Sequence, residues 1–219
     1  MSLSNPSTPT IALLTARDTM AAELGAYYVA STVPGTGLLG HAVSTTLTET
    51  KAIFFVANQG SLTVYPQYLR MTMTVVPVGN AQQQFTVALD QGNRFSAYVA
   101  GNALSITNQN NTSPAQSAAV IGAGAVTLTA ASSQRRLIGH RQFRPTVIGL
   151  VGDVYQWSWG SGELVDPSGL PTDGTARAHI YYASSPLVLP PNTMMAIHAW
   201  GATFSTGATY EYEFGYVEK

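Results

Sequence analysis

Residues 209–219 read TYEYEFGYVEK, with Tyr210, Tyr212, Phe214 and Tyr216 on every second position and Glu211 and Glu213 between them. A period of two belongs to a β-strand, whose successive side chains point to opposite faces. On a helix the same four rings would scatter around the circumference. The stretch therefore reads as a closing strand with rings inward and carboxylates toward water or a neighbouring subunit. YLRMTMTVV repeats the pattern, with Met71, Met73 and Val75 alternating with Thr72 and Thr74. TETKAIFFVANQG, QFTVALDQGN, AVTLTA, PTVIGLVGD, VYQWSWG, ARAHIYYA and MMAIHAW are further strand candidates. Turn chemistry separates them, at Pro77/Gly79/Asn80, Gly92/Asn93, Gly152/Asp153, Gly160/Gly162 and Pro190/Pro191/Asn192. About ten short strands at this spacing predict an all-β jelly roll or β-sandwich.

One domain spanning residues 1–219 is expected, a length that such folds reach as single units. Helix signals are almost confined to TARDTMAAEL, residues 15–24, with Thr15 as N-cap, Asp18 in the first turn and Gly25 as the stop. Residues 1–24 thus read as an N-terminal arm with one short helix. Two stretches, 101–125 and 161–177, read as long surface loops by their polar, Ala/Gly-rich or turn-rich composition.

Each apparent chemical motif has a plainer alternative. GTGLLG (Gly35, Gly37, Gly40) fits a dinucleotide fingerprint, but strand-like HAVSTTLTETKAIFFV follows where a helix must begin, so it reads as a Gly-rich turn. His41, His140, His179 and His198 show no H-x-H or H-E-x-x-H spacing, so no metal site is expected. Cysteine is absent and no G-x-S-x-G elbow occurs. Glu211 and Glu213, roughly 6.6–7 Å apart on one strand face, approach the inverting-glycosidase separation of roughly 6.5–9.5 Å. A glycosidase needs its sugar platform and its carboxylates on the same side of a cleft, and alternation, which puts the aromatics on the opposite face, forbids that arrangement. No catalytic residue, cofactor or enzymatic activity is expected.

Charge is the remaining anomaly. Charged residues make up 10% of the chain, with net charge −1, against roughly 25% for ordinary globular proteins. Net charge keeps proteins apart, so a sparsely charged surface suits a subunit inside an assembly. Four of the eight arginines, Arg135, Arg136, Arg141 and Arg144, sit within QRRLIGHRQFRP. They are candidate contacts to carboxylates of a protein partner; a solvated basic face is the alternative, and the near-neutral total argues against nucleic acid. No run approaches the roughly 20 apolar residues of a membrane helix, and MSLSNPSTPTIALL lacks the basic n-region of a secretory signal.

LVLPPNTMMAIHAW leading into TYEYEFGYVEK, with RQFRPTVIGLVGDVYQWSWG upstream, is similar to virion structural proteins of tailed bacteriophages, capsid decoration (cement) subunits among them. The resemblance lies in general character, since the chain is cysteine-free, lysine-poor and all-β, with long loops and a terminal aromatic strand. It implies a structural virion protein, assembled in the host cytoplasm, that binds the major capsid protein and copies of itself, commonly as a homotrimer, and stabilises the head. A receptor- or glycan-binding module of a phage tail or fibre is the other role considered, using exposed Tyr and Trp.

Overall fold

The computed structural model describes residues 19–42, 44–78, 83–98, 102–130, 136–142, 150–160, 179–184, 186–201 and 205–219. A helical turn at residues 19–23 opens the described chain. It ends where Gly25 takes φ 68°, with Ala26 N–H donating to Ala21 O and Gly25 N–H to Ala22 O. That pair of bonds is a Schellman cap, which favours glycine at the left-handed position. The expected stop is therefore in place, while Thr15 and Asp18 lie outside the described residues.

The strands follow in chain order: β1 (Tyr27–Ser31), β2 (Leu38–Leu39), β3 (Lys51–Asn58), β4 (Val64–Val75), β5 (Gln84–Asp90), β6 (Phe95–Tyr98) and β7 (Ser105–Asn108). Then come β8 (Ala119–Leu128), β9 (Arg136–Gln142), β10 (Val154–Trp159), β11 (His179–Ser184), β12 (Met194–Trp200) and β13 (Thr209–Glu218). They form two sheets. One has the order β11-β10-β4-β13-β1-β7, with β2 paired to β13; the other runs β6-β8-β3-β12-β5-β9. All pairings are antiparallel except β10 with β11. The chain crosses repeatedly between the sheets, and the result is an all-β sandwich.

The inward faces share one core. β13 contributes Tyr210, Tyr212, Phe214 and Tyr216, each at most 2% exposed. They pack with Leu69, Met71 and Met73 of β4 and with Phe54, Val56, Met195 and Ile197 opposite. Phe54 lies between Tyr212 and Phe214, at 5.9 and 5.4 Å between ring centroids. The rings of the closing strand are thus the floor of the core, as their alternation requires.

The six-stranded sheet is buried on its outward face as well. Ala52, Phe55 and Ala57 of β3, Val126 and Leu128 of β8, and Met194 and Ala196 of β12 form a second cluster there. The β5–β6 connection covers part of it. Arg94 N–H meets Met194 Sδ at 2.9 Å, and the Phe95 ring stacks on Phe55 at 4.9 Å. Asp90 and Arg94 pair at 3.0 Å beneath this crossing, both almost fully buried.

Residues 101–125 require a correction, because they are not one surface loop. They contain β7 and most of β8, an internal strand between β6 and β3. The small residues that suggested a loop are there for packing: a Cβ on Gly122 would come within 2.5 Å of Phe55 Cε1. Gly124, at φ 75°, lies where the β3–β8 register shifts, an irregularity that favours glycine. In PTVIGLVGD, residues 150–153 form a turn ahead of β10 and the earlier positions lie outside the described residues, as does 161–177.

Candidate functional site

The outward face of β13 carries Glu211 and Glu213, both half-buried, and register decides what surrounds them. Thr72 lies opposite Glu211, Arg70 opposite Glu213 and Tyr68 opposite Gly215 on β4, while Ser31 of β1 pairs with Glu213 on the other side. One row across the sheet therefore reads Gln156, Arg70, Glu213, Ser31, Ser105. The next row reads Ser158, Tyr68, Gly215, Val29, Thr107.

The loop after β1 walls this face at one end. Val33-Pro34-Gly35-Thr36 is a type II turn, with Gly35 at φ 80° and Thr36 N–H donating to Val33 O at 2.9 Å. Gly35 N–H points at Glu211 Oε1, 2.7 Å away. The first glycine of GTGLLG thus aims an amide at a carboxylate of this chain, with a strand and no helix after it. Between turn and sheet lies a cleft of about 260 Å³, bordered by Thr32, Pro34, Arg70, Thr72, Glu211 and Glu213.

Tyr68 Oη donates to Glu213 Oε1 at 2.7 Å. Burial raises the Tyr68 phenol above its ordinary value, and the neighbouring Glu213 carboxylate raises it further. The phenol therefore stays protonated as a donor. Its ring crosses β13 because residue 215 is glycine: a Cβ there would sit 2.3 Å from Tyr68 Cε1 and 2.9 Å from Tyr27 Oη. Arg70 is exposed and makes no ion pair among the described residues. Both carboxylates act as acceptors in these bonds, each through its Oε1.

Alternation within the sequence correctly placed the rings of β13 opposite its carboxylates, but it missed an aromatic that another strand brings to the carboxylate face. β4 brings a tyrosine to the carboxylate face from far away in the sequence. YLRMTMTVV already puts Tyr68, Arg70 and Thr72 on one face, but no local signal pairs that face with Glu213.

The other candidates stand elsewhere. Arg136 and Arg141 belong to β9, at an edge of the six-stranded sheet, where they pair in register with Leu89 and Phe85. Arg135 and Arg144 lie outside the described residues. His198 is fully buried, with Nδ1 2.7 Å from Lys51 O, and His41 Nε2 is 2.7 Å from Val126 O. Burial is the main cause holding the His41 imidazole below its ordinary value. No group of three potential metal ligands gathers among the described residues.

Apart from Val33, in the turn beside the cleft, the exposed large aliphatic side chains collect at the two ends of the sandwich. Leu39, Val75, Val78, Leu150 and Val151 surround the end where β13 begins. Met20, Leu24, Leu62 and Val188 stand at the end where it finishes. Compared with protein-family models, curated proteins and solved structures, the chain matches none.

Proposed function

We propose that the protein is a structural subunit of a tailed-phage particle, a decoration or cement protein that binds the outside of the head and stabilises it through protein–protein contacts. The observation that carries this reading is the pair of aliphatic ends, on a chain with 10% charged residues. Contiguous exposed apolar groups mark interaction surfaces, and low charge leaves little repulsion to oppose association. The described interior is filled by side chains that pack the two sheets, so the available surface is what the molecule offers to others.

In this reading the ends bind the major capsid protein and further copies of the chain as a homotrimer, within the virion. Arg135, Arg136, Arg141 and Arg144 supply contacts to carboxylates on the partner, where the planar guanidinium pairs bidentately. Interfaces of about 1,200–2,000 Å² are the expected scale.

The test is addition of purified chain to undecorated phage capsids, followed by co-sedimentation and thermal disruption of the particles. Saturable binding with a raised disruption temperature is expected, and Val75→Asp should abolish it while the isolated chain stays folded. Capsids that bind none of the chain, or bind it without gaining resistance, would overturn the reading. An Arg135→Ala/Arg136→Ala variant that decorates at wild-type occupancy would remove those two arginines from the contact.

A further inference from the structure

We infer that the outward face of the seven-stranded sheet binds a neutral saccharide, with one sugar ring stacked on Tyr68 and its neighbour hydrogen-bonded in the cleft of Glu211, Glu213 and Arg70. This goes beyond the decoration reading and does not depend on it, because the cleft lies on a sheet face and the aliphatic groups at the ends.

Sugar recognition needs an apolar plate for the C–H face of the ring and, beside it, donors and acceptors for hydroxyls. Tyr68 is the plate. It is half-buried, it crosses β13 in the space left by Gly215, and its bond to Glu213 fixes it before any ligand arrives. A preorganised ring loses little freedom on binding.

The row beside it supplies the polar groups. Gln156, Arg70, Glu213 and Ser31 stand on four neighbouring strands, at inter-strand steps of about 4.8 Å. Amide, guanidinium, carboxylate and hydroxyl alternate in kind, which suits a polyol whose hydroxyls each donate and accept. Arg70 is exposed, borders the cleft and makes no ion pair among the described residues.

Charge selects the ligand class. Two carboxylates oppose a phosphate or sulfate, and the guanidinium opposes a cation, so a neutral hydroxylated ligand fits best. Size agrees: about 260 Å³ lies just below the roughly 300–1,000 Å³ of drug-sized sites and suits a single ring.

The experiment is a titration of the ¹⁵N-labelled full chain with maltohexaose, cellohexaose and chitohexaose in the millimolar range, followed by amide shifts. At least one glycan is expected to shift the Ser31, Thr72 and Gly215 amides saturably. Tyr68→Ala and Arg70→Ala should each weaken that binding about tenfold, while Tyr68→Phe, which keeps the plate but loses the bond that fixes it, should weaken it less than Tyr68→Ala does. Arg70 is exposed, so Arg70→Ala reads the site even where Tyr68→Ala fails to fold. If all three glycans leave these amides unmoved, or if a bound glycan is held equally well by the Arg70→Ala variant, the proposal fails. Capsid binding by Arg70→Ala should be unchanged, which keeps this outcome distinct from that of the decoration reading.

Discussion

The two sheets of this sandwich use their faces differently. The seven-stranded sheet buries one face and leaves the other to polar residues and a cleft. The described central strands of the six-stranded sheet are largely buried on both. β13 shows the first case, with rings at most 2% exposed alternating with half-buried glutamates. β3 shows the second: Ala52, Ile53, Phe54, Phe55, Val56 and Ala57 are all 3% exposed or less. A strand with one dry face writes an alternating sequence, and a strand with two dry faces writes a continuous apolar run. The lesson concerns function as much as fold. Positions on a doubly buried strand are committed to packing, so a binding site can form only on the face that folding leaves open.

The largest effects should come from testing whether the second buried face is a real core. Phe54 and Phe55 are neighbours that point in opposite directions, one into each cluster, and both are fully buried. Phe54→Ala and Phe55→Ala should each destabilise by about 3–5 kcal/mol in denaturant unfolding. A Phe55→Ala loss below about 1 kcal/mol, with Phe54→Ala in the full range, would break the comparison. Gly122→Ala comes next. The new Cβ would meet the Phe55 ring, and overpacking of this kind costs about 1–3 kcal/mol. A neutral substitution would mean that the ring moves aside freely.

The same contrast explains what could be read in advance. β13, β4 and β10 announce themselves by alternation, because one side of each faces polar surroundings. β8 does so only at its end, where AVTLTA is a strand candidate. Its earlier part, AVIGAG, reads as Ala/Gly-rich, and its glycine at 122 makes sense only once Phe55 of β3 is laid against it. Packing partners distant in sequence decide such residues. The site divides in the same way. Pro34-Gly35 is a legible turn and Glu211/Glu213 a legible face. That Arg70 and Tyr68 meet this face is a matter of register between β4 and β13, which no local pattern fixes. The arginine segment was visible by composition alone, and composition places no residue in space.

A smaller effect should appear where the open sheet reaches its buried end. Glu218 is 7% exposed and accepts a hydrogen bond from Ser117 Oγ, which in turn accepts from Tyr216 Oη at 2.7 Å. Burial raises the Glu218 carboxyl above its ordinary value, against the hydrogen bonds from Ser117 and the amides of Ala119 and Ala118. A carboxyl raised by folding favours the folded state when protonated. Its contribution is complete below the unfolded value and is lost as pH rises through the folded one. Relative to Glu218→Gln, the wild type should therefore gain stability between about pH 7 and about pH 4. Thermal unfolding of both proteins across that range checks the sign, and a relative loss on acidification would contradict the assignment.

The smallest stability effect belongs to the open face, and its smallness is the point. Arg70 is exposed and Thr72 half-buried, and neither belongs to either apolar cluster. Arg70→Ala and Thr72→Ala should each change unfolding free energy by no more than about 0.5 kcal/mol, as substitutions remote from packing do. Folding would then place little demand on these positions, in contrast to Phe55 on the other sheet. A loss above about 2 kcal/mol at Arg70 would instead make this guanidinium a structural tie across β4 and β13. The outward face would then be a second packed surface like that of the six-stranded sheet, and the case for a ligand on it would fall with the distinction between the sheets.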